Sequence, residues 1–508
     1  MKHLHVAFWL VVLAPAVLKA EAPAGATQAA AKKPIWLAVA CADLVAALEP
    51  LAAKRRQDGF DVVVSTKPIA ESLAAAPRRP QFLLLVGDDE PGKEKAPWYL
   101  AAQRKKLYRW RAAQAREFAS DMAWGDPDGN GAPDLPVGRI PARSREQVAL
   151  VVKKIIDFES QPPTAADLQL PVWLGSPEYT DAINAMASGL GVQMIQTQGP
   201  VWLRPWFVSG NPHDPFCGWP PEQPSLFSRQ MRVGGIAGVL MGHASEDAFF
   251  SMRVRDQFIW YDTVRTAGEF ARGRPVPPLI FFSCATGNFA RAAPCQAKTL
   301  LFCPGGPVAV IGATTESHPL TNYFSGVCLL ETLRGNEKRL GPIWLQAQLA
   351  ARRRHDFIME MMLRDVEGSL DKEIDETKLR RDQLLLYAIL GDPATRLRLP
   401  QPLQASVERT AAGWRWQATR PSKATRLDVG FRKVPAFEIS VTPAPTQAAK
   451  ARKAFDAANA CFDFATVAAL PRDVPWQGTI DRAGLLRLVA SGGGQLYVAV
   501  LKLEAPRR

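Results

Sequence analysis

Two short segments of the 508-residue chain set a thiol and an imidazole where both could act on one carbonyl. Met241-Gly-His-Ala-Ser245 carries His243, and Phe281-Phe-Ser-Cys-Ala-Thr-Gly-Asn-Phe289 carries Cys284. In a cysteine hydrolase the histidine takes or shares the thiol proton and the thiolate attacks a carbonyl carbon. The tetrahedral oxyanion that forms then needs hydrogen-bond donors. Backbone N–H groups at the turns, those of Ala244 and Cys284, are the candidates for that oxyanion hole. The small residues Gly242, Ser283, Ala285 and Gly287 let a peptide approach closely. A lone histidine or cysteine is ordinarily structural; two motifs of the same build point to catalysis.

The elements that must position these residues follow from the apolar pattern. Each motif ends an apolar run of strand length, Ile236–Met241 and Leu279–Phe282. In an open parallel sheet, functional side chains gather beyond the carboxyl ends of strands, so two neighbouring strands would bring His243 and Cys284 into one crevice. Upstream, Ile35–Val39, Phe60–Ser65 and Phe82–Val86 read as strands, with a helix over Leu51–Asp58 between the first two. Ser144-x-x-Gln147 is a capping box opening an amphipathic helix through Phe158. A second unit starts near Pro171 with a strand at Val172–Leu174. It continues through the two site strands and Val308–Ile311, with helices over Asn322–Leu333 and Ile343–Val366, and closes on Leu384–Leu390 and the turn Gly391-Asp-Pro393. Beyond Pro400, alternation at Trp414–Trp416, Thr425–Phe431, Phe437–Val441 and Leu496–Leu503 predicts half-buried strands. The expected fold class is α/β, two open-sheet units (34–165 and 166–400) followed by a C-terminal β-sandwich-like domain (401–508).

Composition narrows the class. Hydrophobic residues make up 47% and charged residues 22%, an ordinary globular balance. The net charge of +13 is scattered from Lys54-Arg-Arg56 to Arg352-Arg-Arg354, without zinc-ligand spacing or a basic, aromatic-laced motif, so no nucleic-acid partner is expected. Lys2, the apolar run Val6–Val17 and the small residues Ala20 and Ala22 predict a signal peptide over 1–22, with an Ala-rich disordered leader over 23–33. Export to the periplasm or beyond the cell follows, with no transmembrane segment besides the signal. The seven cysteines are an odd number, which leaves at least one thiol outside any disulfide. In the loop Asp126–Asp134, Asp126, Asp128, Asn130 and Asp134 offer oxygens at alternating positions, a candidate structural calcium site. Val137 stands where an EF-hand needs its glutamate, and the alternative is a turn whose side chains bond their own backbone. Glu246 and Asp247 could draw a basic substrate side chain or serve as surface acids.

The His243 and Cys284 motifs resemble those of gingipain-type cysteine peptidases, caspase-like enzymes with a Cys–His dyad. That family typically shows Gly-His-Gly at one strand end and Ser-Cys or Ala-Cys followed by Gly-x-Phe at the other. Lys54–Val64, Leu83–Asp88, Asp126–Arg143, Pro307–Thr314 and Ile389-Leu-Gly-Asp-Pro393 are similar to family segments in the same order, so the resemblance spans residues 34–400. It implies a caspase-like fold, a protein or peptide substrate, His243 as base and Cys284 as nucleophile, and no cofactor for the chemistry. It also implies an upstream carboxylate orienting the imidazole, for which Glu178 fits best and Asp181 second, and a particular P1 side chain, with Arg or Lys the first expectation. Ala244 departs from the family's glycine. Family-like sequence begins soon after the signal peptide, so activation by loss of a large prodomain is not expected. The rival reading is a silent peptidase fold used as an exported binding or assembly scaffold, and a calcium-stabilised adhesin would leave the dyad unexplained. The sequence sets no oligomeric state.

Overall fold

Strands that read as unbroken apolar runs must be covered on both faces, and that is how the large sheet is built. A computed structural model describes residues 32–108, 117–176, 181–254, 257–364, 375–433 and 446–504. Its ten-stranded sheet comprises β1 (Ile35–Ala40), β2 (Asp61–Ser65), β3 (Phe82–Val86), β4 (Val137–Ile140), β5 (Gln169–Leu174), β6 (Arg204–Ser209), β7 (Gly238–Met241), β8 (Leu279–Phe282), β9 (Val310–Ala313) and β10 (Tyr387–Leu390). The spatial order is β2-β1-β3-β4-β10-β9-β8-β7-β5-β6. Side chains alternate between two helical layers with the two-residue period of a strand. Trp36, Ala38 and Ala40 enter one core while Ile35, Leu37 and Val39 enter another; Leu279 and Phe281 face opposite Ile280 and Phe282 in the same way.

The two expected α/β units are present, fused edge to edge. β10 lies parallel to β4 but antiparallel to β9. All other neighbours in the sheet are parallel. The first five strands in spatial order therefore run one way and the last five the other, and their carboxyl ends open at opposite edges. β10 comes from the end of the second unit in sequence yet runs in the direction of the first. Its expected run, Leu384–Leu390, divides into the end of a helix, Glu376–Leu386, and the strand proper.

A buried ion pair closes this join. Asp392, in the turn after β10, accepts from Arg55 Nε at 2.8 Å, from Trp36 Nε1 at 3.1 Å and from the Ala394 N–H at 2.9 Å. Arg55 also reaches Glu159 and Asp58, at 2.8 and 2.7 Å. Its helix begins at Val45, earlier than Pro50 suggested, with the proline inside it. The helix Arg145–Ser160 has the expected cap at Ser144, which accepts from the Gln147 N–H, but Gln147 returns its bond to the Arg143 N–H rather than to Ser144.

Lys154 lies on the buried face of that helix. Its ammonium donates to the carbonyls of Leu301 and Cys303 at 2.7 and 2.9 Å, and burial pulls its pKa down to about 7. An unfolded lysine titrates near ~10.4. The charged form is therefore penalised in the fold, fully below pH 7, and the penalty fades as pH rises toward the unfolded value. Relative to Lys154→Met, wild-type stability is expected to rise between pH 7 and 10, by about 1.4 kcal/mol per pH unit at its steepest. Paired urea titrations across that range measure it, and a flat difference would mean the two carbonyls keep the ammonium charged.

The C-terminal region pairs a five-stranded sheet (401–402, 495–503, 484–492, 426–432, 465–471) with a three-stranded one (405–410, 413–418, 477–480). Trp416 and Ile480 of the smaller sheet share a core with Leu427, Phe431 and Leu488 of the larger, which makes a sandwich. The expected strand at Phe437–Val441 lies outside the described residues. An unexpected helix, Ala448–Ala460, turns Phe455 onto Trp206 and Asn459 onto the sheet edge. There the Asn459 amide accepts from the Phe207 N–H at 2.7 Å and donates to the Phe207 carbonyl at 3.1 Å, occupying the outer rim of β6. No described helix is long and apolar enough to cross a membrane; the expected signal peptide lies outside the described residues.

Candidate active site

β7 and β8 are parallel neighbours with Met241 opposite Phe282. His243 and Cys284 each follow two residues beyond that pair, so equal steps carry the imidazole and the thiol off the same sheet edge. Both then line one cleft of about 180 Å3. Gly242 permits the step: at φ +153° it sits so close to Gly175 that a Cβ would lie 3.1 Å from the Gly175 Cα. A hairpin, Ala248–Val254 with Gln257–Asp262, holds the histidine loop from outside. The His243 carbonyl accepts from the Phe250 N–H at 2.9 Å, and the Ser245 N–H reaches the Ala248 carbonyl at 2.8 Å. These two bonds make Ala244 and Phe249 a narrow antiparallel pair, in which the N–H of Ala244 is directed away from the hairpin. Ala244 and Cys284 line a second, open cleft of about 620 Å3, as Glu246 does, whereas Asp247 pairs with Arg291 at 3.0 Å.

The nucleophile loop is bent sharply. Ala285 has φ +55°, the left-handed region, and is the one such non-glycine among the described residues. Its N–H bonds the Thr315 carbonyl and that of Gly287 bonds Ala313, both at 2.8 Å, which straps the loop to β9. Phe289 at the loop's end lies under the buried guanidinium of Arg139, 4.9 Å from the ring centre. Arg139 is held by Asp121 and by the carbonyls of Gly87 and Leu100, which links the similar segments at Asp126–Arg143 and Leu83–Asp88 to the loop that carries the cysteine. An alanine in this region costs about 1 kcal/mol against glycine. Ala285→Gly is expected to stabilise the chain by up to that amount, read as a raised Tm; a fall would show that the methyl packs rather than strains.

Behind Cys284 lies a polar network that no motif announced. The Ser317 N–H points at the sulfur, 3.4 Å from it, and Ser317 Oγ lies 4.0 Å away. That hydroxyl accepts from Asn322 at 2.9 Å; Asn322 in turn accepts from Tyr387 at 2.7 Å and from Gln383 at 3.2 Å. Burial raises the Tyr387 phenol, with the nearby Cys284 adding to the rise. The signal was present in the helix Pro319–Thr332, where Thr321, Asn322 and Ser325 are buried in an otherwise apolar stretch. His318 caps this helix, accepting from the Leu320 N–H, and burial lowers its pKa to about 4, which keeps it neutral.

The remaining cysteines share one electrostatic setting. Burial raises the thiol pKa of Cys41, Cys303, Cys328 and Cys461, and pushes Cys217 and Cys295 to about 12 and 11.

Glu178, the expected partner of His243, lies outside the described residues. Asp181 is the first residue of the helix Asp181–Gln198. In the proposed calcium loop, Asp126 accepts from the N–H groups of Asn130 and Gly131 at 3.1 and 2.8 Å, Asp128 from the Asn130 amide at 2.8 Å, and Asp134 turns away to Arg79. These bonds are the ones expected of the turn alternative. Among the described residues no group of three or more His, Cys, Asp or Glu side chains is arranged to hold a metal.

Comparison with known proteins agrees with this architecture. The profile of peptidase family C25 matches residues 29–398. Among solved structures, the chain is similar to the Arg-specific cysteine proteinase gingipain R, at 13% identity over 94% of this chain and 100% of that one, with a TM-score of 0.52. The complex of RgpB pro- and mature domains from Porphyromonas gingivalis gives 14% identity, 93% and 100% coverage and a TM-score of 0.51. A further structure, described as a protease, gives 14%, 92% and 97%, and 0.54. No curated protein matches. At such identities the structures speak for the fold, the two-unit caspase-like sheet followed by a β-domain, and the family match covers most of the chain: it belongs to peptidase family C25.

Proposed function

We propose that this chain is an exported cysteine endopeptidase in which Cys284 is the nucleophile and His243 the general base. The observation that carries the reading is the matched step of the two side chains off β7 and β8 into one cleft. His243 takes the thiol proton as sulfur bonds to the scissile carbonyl carbon. The oxyanion is held by the N–H groups of Ala244 and Cys284, and the Ser317 N–H favours the thiolate beforehand. The imidazolium gives its proton to the leaving amine as the C–N bond breaks, leaving a thioester. A water deprotonated by His243 then cleaves the thioester and restores the thiol. Glu178 is the residue we assign to orienting the imidazole, and the segment 1–22 is the export signal.

Alkylation kinetics test this against the scaffold reading that Ala244 favours. With the other thiols raised by burial, Cys284 is expected to react with iodoacetamide at neutral pH at least tenfold faster than the exposed Cys461. His243→Ala should remove that advantage. Peptide mapping that finds Cys284 no faster than Cys461 would leave the scaffold reading in place.

A further inference from the structure

The two clefts that meet at Cys284 differ in character. The larger one carries Arg104, Glu117, Glu246 and Glu316, and suits an extended stretch of chain. The smaller one, about 180 Å3, has room for a single side chain. We propose that the smaller cleft receives the P1 side chain, and that it selects a large apolar residue (leucine, methionine or phenylalanine) over arginine or lysine. The proposal rests on the cysteine-peptidase reading and gives it a substrate class.

The lining carries the argument. Leu174 and Met241, at the ends of β5 and β7, border the cleft together with Leu190 and Met194 of the helix Asp181–Gln198, Tyr323 of the helix Pro319–Thr332, and Met359. Two of the polar groups that reach it are engaged elsewhere: Ser188 bonds Ser209 at 3.1 Å, and Asn322 serves Ser317 and Tyr387. No carboxylate lines it among the described residues. A lysine or arginine head inserted here would lose its water and meet no counter-charge among the described lining residues, whereas a hydrocarbon side chain would gain from the same desolvation.

Two further features point the same way. A second apolar void of about 30 Å3 shares Leu174, Met194 and Met241 with the cleft. Gly326 leaves both thioethers room there, since a Cβ would stand 3.3 and 3.6 Å from the methyls of Met241 and Met194. Methionine walls of this kind adapt to unequal apolar guests, so selection is by polarity more than by shape. On the outside, the helix Phe357–Arg364 that carries Met359 exposes Phe357, Ile358 and Met361 at 78, 53 and 57%. The cleft thus has an apolar rim as well as an apolar interior.

The test uses the full chain and two probe sets that differ only at P1: fluorogenic peptides and peptidyl acyloxymethyl ketones bearing Leu, Met, Phe, Arg or Lys. Peptides with Leu, Met or Phe are expected to exceed those with Arg or Lys in kcat/KM by about 100-fold or more. The ketones, read by the mass added to Cys284, should show the same order even where turnover is slow. Leu190→Asp and, separately, Met359→Asp should each shift the order toward Arg and Lys, and either shift in a folded variant supports the assignment. Equal or preferred use of Arg or Lys by the wild-type chain overturns it, as does an apolar requirement confined to the primed side. If Cys284 is labelled rapidly by all ketones alike, only the P1 assignment falls. If no ketone labels Cys284 above the other thiols, the peptidase reading falls with it.

Discussion

Replacing Cys284 by alanine is expected to lower kcat/KM for peptide hydrolysis by about 10^4-fold or more. In the proposed mechanism the sulfur is the atom that forms the bond, and burial disfavours the thiolate of each of the other described thiols. The substitution removes only one sulfur from a half-buried position whose loop is held by backbone bonds, so the fold should persist. His243→Ala should cost nearly as much, and the double variant little more than either alone, because the two residues act as a unit. Initial rates on a substrate of the preferred P1 class, with Tm as the folding control, measure all three. Equal activity in wild type and Cys284→Ala would remove the nucleophile from the argument altogether.

The second large effect concerns stability. Arg55→Met would leave Asp392, fully buried, with Trp36 and the Ala394 N–H as its donors among the described residues. Removing one partner of a buried pair costs about 3–5 kcal/mol, because the charge left behind is neither hydrated nor paired. That is a large share of the roughly 5–15 kcal/mol that holds a typical protein folded. The companion variant Asp392→Leu leaves Arg55 with Glu159 and Asp58 and should cost less. Combining the two should recover part of the loss, since the uncompensated carboxylate is then gone. Urea unfolding of the three variants measures this, and strict additivity would mean that the pair contributes no coupling.

The parts of this structure that were readable in advance are those governed by short-range rules. Phe82–Val86 and Leu279–Phe282 are strands at the residues expected, because an unbroken apolar run between turn residues has few other uses in an α/β chain. The positions of His243 and Cys284 were readable for the same reason, each lying just past a strand end. What escaped depends on distance. Nothing local tells that Tyr387 pairs with Ala313 across an antiparallel join, or that Ser317 and Asn322 stand behind the thiol. The helix Ala448–Ala460 was missed although its Ala, Lys and Arg content favours a helix; the alternating strands around it set the expectation. The acidic loop offered metal-type spacing, but spacing cannot distinguish oxygens that face a cation from oxygens that face their own backbone N–H groups.

The late arrival of β10 has a consequence for biosynthesis. β4 is made by residue 140, but its neighbour in the finished sheet begins at Tyr387, and Trp36 meets Asp392 across 356 residues of sequence. Until that segment leaves the ribosome or crosses a membrane, the first half of the sheet carries an open edge and an incomplete polar core. Such an edge can pair with another chain as readily as with its own, and contacts this remote form slowly. The nascent protein therefore carries this unpaired edge through the whole synthesis of residues 141–386. Any truncation upstream of residue 387 should accumulate as aggregate rather than as a smaller folded domain.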